Sequence, residues 1–484
     1  MHLLTRTVLH RAVPAFAVLA LVSGIPAQTS RNVELLGTLR PSDSGFNDIW
    51  GYVAPDGREY AILGGRQNTY VVDCTNPRQP VLRGTFPSNL SGWSSSTWRD
   101  IRTYRNYAYV VTEGGGGMQI LDLSNPDQPT YVRTFTLTGW TNTHNIAIDT
   151  VNGRAYPCGA SNVGTPVLDI ATDPANPTRI AGYTAQYVHD LHIQNGFAFL
   201  AEINRSTFRI VDVANLPTIT SVGSIAVSAC HNAWATRDDR YAITTSETTN
   251  GNGYIRVFDI GNRASPQLIS SYRTGATNTS VHNAYVRDRV IHAAYYSEGY
   301  RCVDLSDPMQ PLELGYYDTH TSTSGYNGAW GCYAFQPSGT IYISDISNGL
   351  FVLKPKGAVG RYGTATAGTA GEPAIHGFGG AFQGNANFAL ELENAPANAA
   401  AVLVIGTARA DLPILGIRLN VDVSLPHAIL SATTDANGKL KVPLPVPASS
   451  GLSGDLVAQF VVQDASGPAG LTATRGLSFS VFAR

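Results

Sequence analysis

Met118-Gln119-Ile120-Leu121-Asp122, followed by Ser124-Asn125-Pro126-Asp127-Gln128-Pro129, carries the architecture of this chain because it recurs. A short apolar run ends in an aspartate, and a turn rich in Asn and Pro follows. The same run stands at Tyr70-Val71-Val72-Asp73, Val167-Leu168-Asp169, Ile210-Val211-Asp212, Val257-Phe258-Asp259 and Cys302-Val303-Asp304. The six aspartates are 49, 47, 43, 47 and 45 residues apart. A seventh copy, Leu350-Phe351-Val352-Leu353, has Lys354 in the aspartate's place. Asp and Asn side chains accept backbone hydrogen bonds and Pro pre-sets φ, so the chain turns after each run. The repeated aspartate therefore reads as a turn cap rather than a catalytic group.

Each unit holds more strands than this one. Tyr107-Ala108-Tyr109-Val110-Val111 and Phe197-Ala198-Phe199-Leu200 precede the repeat and have the aromatic and β-branched content of strands. Val81-Leu82-Arg83-Gly84-Thr85-Phe86 follows it. An opening strand begins each unit, at Asp48-Ile49-Trp50, Asp100-Ile101-Arg102, Asn145-Ile146-Ala147, Asp190-Leu191-His192, Asn232-Ala233-Trp234 and Asn283-Ala284-Tyr285, with Gly328-Ala329-Trp330 in the last. Four strands at a period of about 45 residues is the signature of propeller blades. The last unit lacks its fourth strand. Val33-Glu34-Leu35-Leu36-Gly37-Thr38-Leu39 matches the fourth strands elsewhere, and its addition would remove an exposed sheet edge. The expected fold is all-β: a seven-bladed β-propeller over residues 32–356 closed by the N-terminal strand, then a small β-sandwich.

The flanks differ in kind. Arg6 and Arg11 precede the apolar run from Ala12 to Val22, and Ile25-Pro26-Ala27 offers a cleavage point, so residues 1–27 read as a secretory signal peptide. No later run reaches the roughly 20 residues of a membrane span. Composition shifts at Gly357. Small residues fill 357–372, which reads as a linker. Beyond it, alternating runs such as Phe388-Ala389-Leu390-Glu391-Leu392 and Leu456-Val457-Ala458-Gln459-Phe460 suggest an antiparallel sandwich over 373–484. The five cysteines fall in strand-like segments without zinc spacing, and read as buried and structural. A net charge of -2 excludes a basic footprint for nonspecific nucleic-acid binding. Gly114-Gly115-Gly116-Gly117 sits between two strands, so it reads as a flexible loop rather than a phosphate cradle, which needs a helix behind it.

The candidate site is the rim where the opening strands begin. Polar pairs stand there: Asn47-Asp48, Arg99-Asp100, His144-Asn145, His189-Asp190, His231-Asn232 and His282-Asn283, with Asn327-Gly328 in the last unit. The second strand ends in a carboxylate at Glu113, Glu202, Glu247, Glu298 and Asp345. Because that strand runs antiparallel to the first, both sets converge on one face. Three readings stand: mutual hydrogen bonding between blades, a ligand or metal site, and acid–base catalysis. As metal ligands, His189, Asp190, Glu202, His231 and His282 are the candidates; zinc prefers the imidazoles and calcium the oxygens. Neighbours on a strand face opposite ways, so one member of each pair is expected to face the channel. Trp50, Trp234, Tyr285 and Trp330, two places on, read as blade core.

The Leu/Ile-Val-x-Asp runs resemble LVIVD-repeat propellers. The stretch from Asn32 to about Lys356, with Asp48-Ile49-Trp50-Gly51, Trp98-Arg99-Asp100-Ile101, His144-Asn145 and His189-Asp190, is similar to the choice-of-anchor B family of bacterial surface and secreted proteins. The resemblance implies export and a variable C-terminal attachment device, and it brings no catalytic residues. The C-terminal unit resembles domains of secreted planctomycete-like proteins. The expected role is a non-enzymatic binding or display propeller, extracellular or at the cell surface and monomeric, with a small ligand, polysaccharide or surface protein as partner. The alternative is a metal-dependent, lactonase-like hydrolase working at the channel mouth.

Overall fold

The repeated runs are apolar at successive positions because both faces of each sheet are covered. Side chains alternate across a strand. Leu121 packs with Ile62, Val71 and Ile101 toward the preceding sheet, while its neighbour Ile120 packs with Ile146, Ala155 and Leu168 toward the next. Each such fully buried side chain stabilises the fold by roughly 1.5–3 kcal/mol. The computed structural model describes residues 29–160, 162–248, 253–321, 325–448, 451 and 453–484. The signal-peptide reading of residues 1–27 lies outside the described residues.

Seven antiparallel sheets follow in chain order. The first runs Phe46–Val53, Glu59–Gly65, Asn68–Asp73, Val81–Pro87. The inner strands of the other six are Arg99–Tyr104, Asn145–Asp149, Asp190–Gln194, Cys230–Ala235, Ala284–Arg287 and Ala329–Tyr333. Inner strands neighbour one another in chain order, and the last lies beside the first. Val33–Leu39 pairs antiparallel with Gly349–Pro355 as the outer strand of the seventh sheet, Val33 opposite Pro355 and Leu39 opposite Leu350. Ser30–Arg31 extends the sixth sheet instead, with Ser30 opposite Tyr317. The fold is all-β, and among the described residues no helix is long and apolar enough to cross a membrane.

The six aspartates do what turn chemistry requires. Asp73, Asp122, Asp169, Asp212, Asp259 and Asp304 each accept the backbone N–H two residues on, at 2.7–3.1 Å. The glycine loop differs from expectation, since packing pins it: the Trp93 indole N–H donates to the Gly116 carbonyl at 2.8 Å, and the Ser94 N–H to that of Gly114 at 2.9 Å. Cys74, Cys158, Cys230, Cys302 and Cys332 are free and buried.

Past Pro355 the repeat stops. Gly360–Tyr362, inside the expected linker, pairs with Gly476–Val481 and joins a sheet completed by Gly454–Gln463, Ala400–Gly406 and His427–Thr433. A second sheet, Ala374–Phe378, Ala389–Glu393 and Leu440–Pro443, packs on it through Leu390, Leu392, Leu403, Phe460, Val462 and Phe479. This C-terminal unit docks where the inner strands end. The Asp304 carboxylate caps its own turn and also accepts the Gly380 N–H at 2.7 Å. Arg361 donates to Asp288 at 3.0 Å, and Arg237 bridges Glu391 and Glu393. The opposite end, where the inner strands begin, carries the polar pairs.

Candidate functional site at the channel mouth

Successive inner strands begin side by side, so their first polar residues gather around one axis. His144, His189, His231 and His282 form a staircase there. Ring centroids are 4.2, 4.2 and 4.4 Å apart, and Trp330 continues it 4.5 Å from His282. The staircase is held from the backbone. His189 Nδ1 donates to the His231 carbonyl at 3.0 Å, and His282 Nδ1 to the Trp330 carbonyl at 2.7 Å. His231 Nδ1 has no hydrogen-bond partner among the described residues. His144 Nδ1 meets Glu113 Oε1 at 2.6 Å.

Carbonyl and carboxylate oxygens only accept, so Nδ1 of His144, His189 and His282 carries a proton, and in the neutral His189 and His282 rings the lone pair is on Nε2. Burial holds His231 and His282 down at about 3 and His189 well below the ordinary histidine range, so at neutral pH these three rings are uncharged. In Arg99-Asp100, His144-Asn145 and His282-Asn283 both members line one cavity. His189 precedes its strand and turns to the mouth, whereas Asp190 is the first strand residue and faces inward.

The inward residues form a second tier. Asn232 Nδ2 donates to Asp190 Oδ2 at 2.8 Å, the Ala284 N–H to Asn232 Oδ1 at 3.2 Å, and the Ile101 N–H to Asp48 Oδ2 at 3.2 Å. Each side chain thus reaches the next sheet's backbone or side chain. Arg102 stands among them. It pairs with Asp100 and with Asp48 at 3.2 Å, and its guanidinium lies 4.0 Å over the Trp50 ring. Burial raises Asp48, Asp100 and Asp190 above the usual carboxylate range, and Arg102 opposes that shift at all three. Below Arg102, Trp50, Trp234, Tyr285 and Phe335 contact one another edge-on or stacked at 4.9–6.1 Å and plug the channel. His192 stacks on Trp234 at 3.7 Å.

Between the tiers lies a small cavity with room for about one water molecule, lined by Asp48, Trp98, Arg99, Asp100, His144, Asn145, His282, Asn283 and Trp330. Among the described residues, the seventh sheet has no polar side chain at this level. There Gly331 takes the Asp/Asn position, and a Cβ on it would stand 2.8 Å from Asp48 Oδ1. Asn283 Oδ1 and Asp48 Oδ1, both buried, have no hydrogen-bond partner among the described residues.

Several expected members belong elsewhere. Glu202 is fully buried but held by Arg209 at 2.8 and 3.1 Å across its own sheet, so it is not a ligand beside His189. Glu298 pairs with Arg301 at 2.8 Å, and Asp345 caps a turn through the Ser347 and Asn348 N–H groups. Of the five carboxylates, Glu113 and Glu247 join the histidines; Glu247 Oε2 lies 3.5 Å from His231 Nε2 and Oε1 accepts from Tyr296 at 2.5 Å. Asp190 is tied to Asn232 and Leu191, which leaves it poorly placed as a metal ligand. Trp330 is not two places past the polar position. A bulge between Ala329 and Gly331 puts it in register with His231, at the mouth. Arg102 went unnoticed in the sequence, although it sits two residues after Asp100 and so on the same strand face.

Two groups fit an ion: one ligand atom each of His144, His189 and His231, and one each of His231, Glu247 and His282, lie within 4.8 Å of one another. The rim residues hold no oxygen cage of the kind calcium requires, because Asp100 and Asp190 are occupied by Arg102 and Asn232.

The LVIVD repeat model matches residues 97–136 and 250–274. Similar solved structures include the Cps50 (Swd1) β-propeller domain of Myceliophteria thermophila, at 10% identity and TM-score 0.48 over 66% of this chain and 98% of that one. A functionally unknown protein from Desulfotomaculum acetoxidans DSM 771 aligns at 14% identity and TM-score 0.45 over 59% and 89% of the two chains. Kuenenia stuttgartiensis hydrazine synthase aligns at 13% and 0.46 over 65% and 96%. No curated protein sequence matches this chain. Repeat match and sheet architecture agree on the fold: the chain is a β-propeller carrying LVIVD repeats.

Proposed function

We propose that this is an exported, non-enzymatic binding protein: a closed seven-bladed propeller, residues 32–356, whose channel mouth takes a small ligand rich in hydrogen-bond donors, with a C-terminal β-sandwich, residues 373–484, as an attachment module. The ring closes through Val33–Leu39, and residues 1–27 direct secretion. One observation carries the binding reading. Asn283 Oδ1 and Asp48 Oδ1 are buried acceptors without a hydrogen-bond partner among the described residues, and both residues line the mouth cavity. Buried polar atoms are almost always paired, so two unpaired acceptors lining one small cavity favour a guest whose hydroxyl or amino group reaches into it from the mouth. The aromatic plug favours a blind cup over a conduit. The C-terminal unit docks at the far end of the inner strands, which suits a module that presents the mouth outward. The engagement of Glu202 by Arg209 weighs against the hydrolase alternative, because it occupies one of the carboxylates expected to serve there.

A thermal-shift panel of polyols, monosaccharides and small amines tests this, run on the wild type and on Asn283→Leu. Hits whose shift disappears in Asn283→Leu support the reading. Hits that persist in that variant, or a panel without effect, contradict it.

A further inference from the structure

We propose that the histidine staircase is a zinc site: His144, His189 and His231 supply three imidazole nitrogens, and the fourth position opens on the channel mouth. The inference rests on the channel-mouth reading and deepens it, because an open zinc position gives the cup a Lewis-acidic contact for a guest.

Three features of the site point this way. The three rings are brought together by the starts of three consecutive inner strands, with one ligand atom of each within 4.8 Å of the others. Their tautomers suit the task. A metal-bound histidine commonly donates its other ring N–H to a carboxylate or backbone carbonyl, which fixes the ring and leaves the lone pair for the ion. His144 has Glu113 as that partner at 2.6 Å, and His189 has the His231 carbonyl at 3.0 Å. The rings are also shielded and close: His189 and His231 are buried, and successive ring centroids stand 4.2 Å apart.

The chemistry of the donors selects the ion. Three imidazole nitrogens suit zinc far better than calcium, and three protein nitrogens with an open fourth position is a known zinc arrangement. Zinc–nitrogen bonds of about 2.0–2.1 Å place tetrahedral ligands about 3.4 Å apart, so the rings have to close by at most about 1.4 Å. Side-chain rotation supplies that without moving the strands. The second cluster, His231 with Glu247 and His282, shares His231 and competes for it. In that cluster Glu247 is already engaged by Tyr296, whereas in the first cluster His144 and His189 are oriented by Glu113 and by the His231 carbonyl.

The test is equilibrium dialysis of the full chain against zinc alone, followed by cobalt substitution read by its visible tetrahedral bands. One tightly held zinc per chain is expected, with tetrahedral cobalt bands. His144→Ala, at the most accessible of the three rings, should weaken zinc at least 100-fold and abolish the bands. Glu113→Gln should weaken it 10- to 100-fold, as loss of an outer partner does. His282→Ala should leave affinity within a few fold. An unchanged melting temperature establishes that each variant is folded, and His189→Ala repeats the test should His144→Ala not fold. Absence of stoichiometric zinc, indifference to His144→Ala and His189→Ala, or loss on His282→Ala and Glu247→Gln instead would each overturn the assignment. Panel ligands that still bind through Asn283 in zinc-free protein would separate failure of this inference from failure of the binding reading.

Discussion

Replacing Arg102 with Met should destabilise the propeller by about 3–5 kcal/mol, the range for removing one partner of a buried ion pair. The structure sets the terms. The Arg102 side chain is 5% exposed, those of Asp48 and Asp100 2% and 4%, and water therefore does little to replace the lost cation. Its stacking over Trp50 at 4.0 Å adds a contribution that Met retains only in part. The carboxyls can escape by taking up protons, which limits the damage and gives it a pH signature. Burial already raises their folded pKa values, and loss of Arg102 raises them further. A carboxyl with a raised folded pKa contributes stability below its unfolded value, and that contribution is lost as pH rises through the folded one. The deficit of Arg102→Met should therefore be larger at pH 8 than at pH 5. Over the roughly 325 residues of the seven sheets, an unfolding entropy of about 2.1 cal/mol/K per residue converts 3–5 kcal/mol into a drop of about 4–7 °C. Differential scanning calorimetry at the two pH values reads both. A melting temperature within a degree of wild type, or a deficit that grows toward acid, would refute the argument.

Other outcomes follow from the same geometry. Buried neutral His292, beside the Tyr300 hydroxyl and held down at about 3, should make stability fall as pH drops below about 6.5, by up to about 1.4 kcal/mol per pH unit, because the unfolded chain takes the proton first; denaturant titration of His292→Phe should show a shallower slope. Asp304→Ala should cost more than Asp259→Ala, by about 1 kcal/mol, since only Asp304 also holds Gly380 of the C-terminal unit; thermal melts compare them. Gly331→Ala should destabilise by about 1–3 kcal/mol and weaken binding at the mouth, as its Cβ would stand 2.8 Å from the Ile49 nitrogen; melts and the ligand panel read both effects. All five cysteines should react with a thiol reagent in denaturant and resist it when folded, since burial raises their pKa values, that of Cys74 to about 12. Mass spectrometry of secreted material should find a chain beginning at Gln28.

The parts of this molecule legible in its sequence are those set by local chemistry. Asp122 and its five counterparts announce turns because a carboxylate two residues before an N–H caps it wherever the chain goes. The histidines were visible because they recur at one place in the unit. What escaped depended on partners distant in the chain. Glu202 looked like a ligand until Arg209, on the adjoining strand, claimed it. Trp330 was misplaced because a bulge shifts the seventh sheet's register, and Asn327-Gly328 imitates the polar pair. The plug joins Trp50, Trp234, Tyr285 and Phe335 from four sheets, and no spacing along the chain encodes that meeting. The docking of Gly380 on Asp304 is equally nonlocal.

The central claim is that the staircase and the cup beneath it form one binding site. Anomalous diffraction at the zinc edge from crystals grown with zinc tests it most directly. The account predicts a single peak bonded to His144, His189 and His231, facing the cavity beside Asn283. A featureless mouth, or zinc bound only at surface residues away from the inner strands, would contradict it.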